Sequence, residues 1–127
     1  MVNDPNHAAY LDGLKKYEAH RYADAARDFL VALEEWPEDW MAMHALGNCY
    51  SETKKLRKAE KWFRLAIDNA PVKDQAKLAY NLGNALFDQQ RYHEAIQMYC
   101  KVPRGHEIWR LAVNNIAASE TKMGNVG

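Results

Sequence analysis

Cysteine, proline and glycine are scarce in this chain, and neither sign of charge is in excess. The two cysteines among 127 residues, Cys49 and Cys100, fall within predicted packed helical faces, so reduced thiols and a cytoplasmic setting are expected. Seventeen basic and seventeen acidic side chains cancel, so bulk charge nominates neither nucleic acid nor a membrane surface as partner. No window approaches the roughly 18 apolar residues of a membrane span. The start, Met-Val-Asn-Asp-Pro, lacks the basic and apolar stretches of a signal peptide. Sustained period-two alternation is missing too, which argues against strands. The histidines (His7, His20, His44, His93 and His106) show no metal-ligand spacing with the cysteines. No Ser-His-acid or Cys-His arrangement can be argued either. The expectation is a chain that is not an enzyme, with no catalytic residue, metal or cofactor.

Apolar residues, 48% of the chain, fall at helical spacing almost throughout, enough for one compact all-α domain. Seven helices are predicted. The first starts at Asp4, a candidate cap, with Pro5 at its first position, and runs to about Ala19. The second covers about Tyr22 to Trp36, with Tyr22, Ala25, Ala26, Phe29, Leu30, Ala32 and Leu33 as its apolar stripe. Pro37 stops it, and Asp39 can cap a third from Trp40 to about Glu52. The fourth spans about Leu56 to Asn69, ahead of Pro71. Asp74 can cap a fifth reaching about Asp88. A sixth, Tyr92 to Lys101, is cut by Pro103, and a seventh runs from about Glu107 to Met123 before Gly124. Connections of two to six residues favour antiparallel helix hairpins.

The helices repeat. Gly13, Gly47 and Gly83 stand 34 and 36 residues apart, and each is followed at matched offsets by an alanine (Ala25, Ala59, Ala95), an aromatic (Phe29, Phe63, Tyr99) and a small or branched apolar residue (Ala32, Ala66, Val102). Glycine inside a helix costs about 1 kcal/mol against alanine, so three at matched positions need a packing reason. The expectation is that each lets the second helix of its hairpin approach closely. The alanine then completes a small-on-small contact, and the aromatic packs between this hairpin and the next.

The run Leu46-Gly47-Asn48-Cys49-Tyr50, followed by Ala59, Phe63, Ala66 and Pro71, resembles the tetratricopeptide repeat. So does Tyr80-Asn81-Leu82-Gly83-Asn84-Ala85, followed by Tyr92, Glu94-Ala95-Ile96 and Tyr99. The resemblance covers about residues 5–125. It implies an α-solenoid with repeats at about 6–39, 40–73 and 76–109 and a final helix at about 107–124. The chain departs from the pattern at Asp12, where a large apolar residue is expected, and at Val102-Pro103, where the helix would continue. The final helix should leave part of its Val113, Ile116 and Met123 face uncovered.

The resemblance places the first helix of each hairpin on a concave side, and the helical wheel selects the residues facing it. These are Tyr10, Leu14 and Tyr17; Met41, His44, Asn48, Ser51 and Glu52; Lys77, Tyr80, Asn81, Asn84, Phe87 and Asp88; and Asn114, Asn115, Ala118, Thr121 and Lys122. The asparagine amides can both donate to and accept from an extended peptide backbone. Each such bond contributes about 0.5–1.5 kcal/mol against the roughly 8 kcal/mol of a micromolar complex, so the aromatics must supply much of the rest. The related heat-shock chaperone adaptors hold a peptide's terminal carboxylates in a cationic clamp. Here Asn48 and Asn81 match it, but His44, Leu111 and Asn115 replace its cations, so that capture is not expected.

The partner expected is thus another protein, bound as an extended peptide or a partner helix in the concave groove by a scaffold, adaptor or chaperone. The alternative is self-association through the last helix and through charge asymmetry. Residues 1–40 hold nine acids and four bases, and residues 41–70 hold three and six. The basic run Lys54, Lys55, Arg57, Lys58, Lys61 and Arg64 reads as a solvated outer face, since no aromatics interleave as single-stranded nucleic acid would require.

Overall fold

Helical periodicity is expressed in the computed structural model, which describes residues 7–124, as seven helices and, among those residues, no strand. They are α1 (Ala8–Glu18), α2 (Tyr22–Glu35), α3 (Trp40–Glu52), α4 (Leu56–Asn69), α5 (Val72–Asp88), α6 (Tyr92–Tyr99) and α7 (Trp109–Lys122). Packing divides the chain after Ala70 into two units. In the first, α1 pairs with α2, α3 pairs with α4, and α2 lies against α3; in the second, α5 packs on α6 and α6 on α7.

Asp39 caps α3 as expected, its Oδ1 accepting from the backbone N–H groups of Met41 and Ala42 at 3.0 and 3.3 Å. The proposed cap at Asp4 and the position of Pro5 lie outside the described residues. Four boundaries differ from the sequence expectation, the first being that α1 begins at Ala8, directly after His7. Helix α5 starts two residues before Asp74, because Pro71 (φ −65°) is already set for a helix start and its carbonyl accepts from the Asp74 N–H at 2.9 Å. Asp74 therefore sits in the first turn, where a carboxylate still favours the helix dipole. Helix α6 ends at Tyr99 rather than Lys101, since the N–H groups of Lys101 and Val102 bond three residues back ahead of Pro103. Helix α7 begins at Trp109 rather than Glu107, because the Ile108 N–H turns to His106 Nδ1 at 3.2 Å.

The matched glycines serve a different contact from the one expected. A Cβ on Gly13, Gly47 or Gly83 would stand 2.6 Å from Cε1 of Phe29, Phe63 or Tyr99 respectively. Each glycine therefore receives the aromatic ring sixteen residues later in its own hairpin, rather than an alanine-lined helix backbone. Ala25, Ala59 and Ala95 are fully buried around these seats. A second repeated device is invisible in composition. His20, Lys54 and Gln90, each seven residues after its glycine, adopt φ of 61°, 63° and 64°. The next N–H in each case reaches back five residues, Arg21 to Lys16, Lys55 to Tyr50 and Arg91 to Leu86, which closes the helix in the Schellman manner without glycine.

Two burial expectations change. Leu30, placed in the α2 stripe, is 38% exposed. Cys100, placed on a packed face, is exposed at the end of α6, whereas Cys49 is buried in α3. Burial, and then the charge of Glu52, push the Cys49 thiol up to about 12. A thiol-reactive disulfide reagent at about pH 8 should accordingly release one equivalent quickly, from Cys100, and a second only on unfolding. Two fast equivalents in the native protein would contradict this burial.

Candidate functional site

In the first unit the sequence brings the exposed faces of α1 and α3 together as a groove of about 230 Å³. It is lined by Tyr10, Leu14, Tyr17, Trp40, Met41, His44, Ala45 and Asn48. Helical spacing explains the lining: Tyr10, Leu14 and Tyr17 share one face of α1, and Met41, His44, Ala45 and Asn48 share one face of α3. Tyr10 is held between neighbours, stacked on His7 at 5.8 Å and tilted against Phe29 at 5.7 Å. Tyr17 meets the Tyr22 ring edge-on at 5.1 Å, and the His44 ring lies 6.0 Å from Phe63. Asn48 Nδ2 stands 3.5 Å from His44 Nε2 one turn back. Burial, then Glu52, push the Tyr17 hydroxyl up to about 12; burial, then Asp39, raise that of Tyr10.

Six of the residues selected from sequence thus meet in one groove: Tyr10, Leu14, Tyr17, Met41, His44 and Asn48. Ser51 is half-buried but does not line it. The reading omitted Trp40 and Ala45. Trp40 opens the third predicted helix, and its spacing of four and eight residues from His44 and Asn48 carried the signal.

In the second unit Lys77, Tyr80, Asn81, Asn84 and Phe87 lie on α5, and Asn114, Asn115, Ala118 and Thr121 on α7. The structure joins three of them in a network. Asn84 Oδ1 accepts from the Tyr99 hydroxyl at 2.7 Å and from Asn115 Nδ2 at 3.1 Å, and Asn115 Nδ2 also donates to the Tyr80 hydroxyl at 3.2 Å. These contacts hold α6 and α7 to α5. Phe87 packs edge-on to Tyr92 at 5.1 Å. Asn114, Ala118 and Thr121 are exposed, Thr121 Oγ1 donating to the Ala117 carbonyl. Only Ala112 and Ser119 of α7 are buried, and Val113 and Met123 are 39% and 40% exposed.

Among the described residues no group of three or more His, Cys, Asp or Glu side chains could hold a metal ion, and no helix is long and apolar enough to cross a membrane.

Two family models, both described as tetratricopeptide repeat, match residues 10–74 and 76–102. No curated protein matches the chain. Among solved structures, the first tetratricopeptide domain of Spaghetti (RPAP3), bound to the HSP90 peptide SRMEEVD, is similar with a TM-score of 0.82 and 19% identity, over 92% of this chain and 91% of that one. The tetratricopeptide domain of Sgt2 from Aspergillus fumigatus is similar with a TM-score of 0.81 and 20% identity, over 95% and 81%. Identities this low speak for the fold alone, which is all-α in each. The matched repeats, the ring seated on each glycine and these likenesses agree: the chain belongs to the tetratricopeptide repeat family.

Proposed function

We propose that this chain is a non-enzymatic protein-interaction module that binds an extended peptide segment of a partner protein in the groove between α1 and α3. The observation that carries this reading is the groove itself, four ring-bearing side chains beside an asparagine amide. Rings offer large apolar area with little conformational entropy to lose, and the amide supplies a donor and an acceptor for a peptide backbone. The solved relative from Spaghetti holds a peptide, which supports the same class of ligand for this chain. A scaffold, adaptor or chaperone would each use such a groove.

The test is a random-sequence linear peptide library panned on the intact chain, with selected peptides titrated into the isotope-labelled protein. Amide shifts should concentrate in α1 and α3. Asn48→Ala should weaken the selected peptides about three- to tenfold through loss of one backbone hydrogen bond, with helicity unchanged by circular dichroism. Shifts that avoid α1 and α3, or affinity indifferent to Asn48→Ala, would remove the reading.

A further inference from the structure

The groove has rings, methionine and an asparagine in its walls and no lysine or arginine. Helix α3 carries one carboxylate, Glu52, and no lysine or arginine along its length. Glu52 follows Asn48 by four residues and so extends the same face of the helix. At the opposite end of α3, Asp39 is buried; one of its carboxylate oxygens caps the helix, while Oδ2 has no hydrogen-bond partner and lies 3.6 Å from His7 Nδ1.

The nearby bases are directed elsewhere. Lys16 Nζ is 2.7 Å from Asp28 Oδ2 on α2. Lys15 is turned about 100° round α1 from Leu14. Lys54 and Lys55 follow the end of α3, and Lys58 lies over the Tyr50 ring at 5.4 Å, about 200° round α3 from Asn48. The burial of the Tyr10 and Tyr17 hydroxyls, together with the carboxylates near them, holds both in their protonated form. A second negative charge in this groove would meet the same resistance. A cation would be attracted by the ring faces and by the carboxylates together.

We infer that the groove between α1 and α3 takes a basic side chain of the bound peptide, arginine in preference to lysine, through its ring-lined wall and the Glu52 carboxylate at its rim. This rests on the peptide-binding reading above and names the ligand class. Arginine is preferred because its planar guanidinium stacks on rings and can still donate in plane to Asn48 Oδ1 or to Glu52. The chain already uses such a pair internally, with the Arg104 guanidinium 5.5 Å from the Trp109 ring centroid.

The experiment uses three capped pentapeptides, Ala-Ala-X-Ala-Ala with X as arginine, leucine or glutamate, titrated into the labelled intact chain. Binding is followed at the Asn48 side-chain amide and the backbone amides of α1 and α3. Arginine should bind about three- to tenfold more tightly than leucine, and glutamate more weakly than either. Raising the salt should shrink the arginine advantage, and Glu52→Gln should bring arginine to within about twofold of leucine. Leucine binding as well as arginine, or an arginine advantage untouched by Glu52→Gln, would overturn the inference. If library-selected peptides occupy the groove but the arginine peptide does not, the inference falls and the binding reading stands. If neither occupies it, both fall.

Discussion

Gly47→Ala should lower the stability of the first unit by about 1–3 kcal/mol, the usual range for overpacking a core. On an isolated helix the same change would favour the helical state by roughly 1 kcal/mol, so the tertiary contact must outweigh propensity for this result to appear. An added Cβ would stand 2.6 and 2.7 Å from Cε1 and Cδ1 of Phe63, well inside van der Waals contact. The ring has little room to yield, since Phe63 is fully buried and the His44 ring lies 6.0 Å from its centroid. Urea unfolding followed by tryptophan fluorescence reads this, because Trp36, Trp40 and Trp62 all belong to the first unit. The double variant Gly47→Ala with Phe63→Leu should cost about 0.5–3 kcal/mol less than the sum of the single changes, because the smaller side chain vacates the disputed space. Strict additivity would mean that glycine is required for some other reason.

Asn84→Ala should destabilise the second unit by about 1–3 kcal/mol by leaving the buried Tyr99 hydroxyl without its acceptor. Asn84 Oδ1 accepts from both Tyr99 and Asn115, and Tyr99 is only 1% exposed. Tyr99→Phe should be milder, about 0.5–1.5 kcal/mol, since Asn84 keeps its bond to Asn115. In the Asn84→Ala background the further change Tyr99→Phe should restore part of the loss by removing an orphaned hydroxyl. Trp109 fluorescence reports on this unit.

The same network has a pH signature of fixed sign. Burial raises the Tyr99 hydroxyl above the ordinary tyrosine value of 10.0, so the folded state holds this proton more firmly than the unfolded state. That contribution is complete below pH 10.0 and is lost as the pH climbs from there through the raised folded value. The alkaline decline should flatten in Tyr99→Phe. An unchanged alkaline profile in that variant would contradict the assignment.

How far the sequence was legible depends on the kind of residue. Pro37, Pro71 and Pro103 mark helix ends because proline carries no backbone N–H and a fixed φ, and the Asp39 cap is a local side-chain contact. Such features need only near neighbours in the chain. The left-handed residues His20, Lys54 and Gln90 were not legible, because none is the glycine or asparagine that would announce such a turn.

Asn48 and Asn84 show the limit most plainly. Each follows its repeat glycine by one residue, so the wheel assigns them the same face and, by that logic, the same task. Asn48 lines the groove of the first unit. Asn84 instead binds a hydroxyl that Tyr99 supplies where Phe63 supplies none, and a second amide from α7.

Periodicity and spacing by themselves determined the helical class, the number of helices and the three repeats, since these follow from which residues recur at 3.6-residue and whole-repeat intervals. Tertiary structure alone decided that the glycines seat rings and that Asn84 and Asn115 turn inward. The physical reason is that a helical period fixes the direction of a side chain, whereas its partner is fixed by what a separate helix brings within bonding distance.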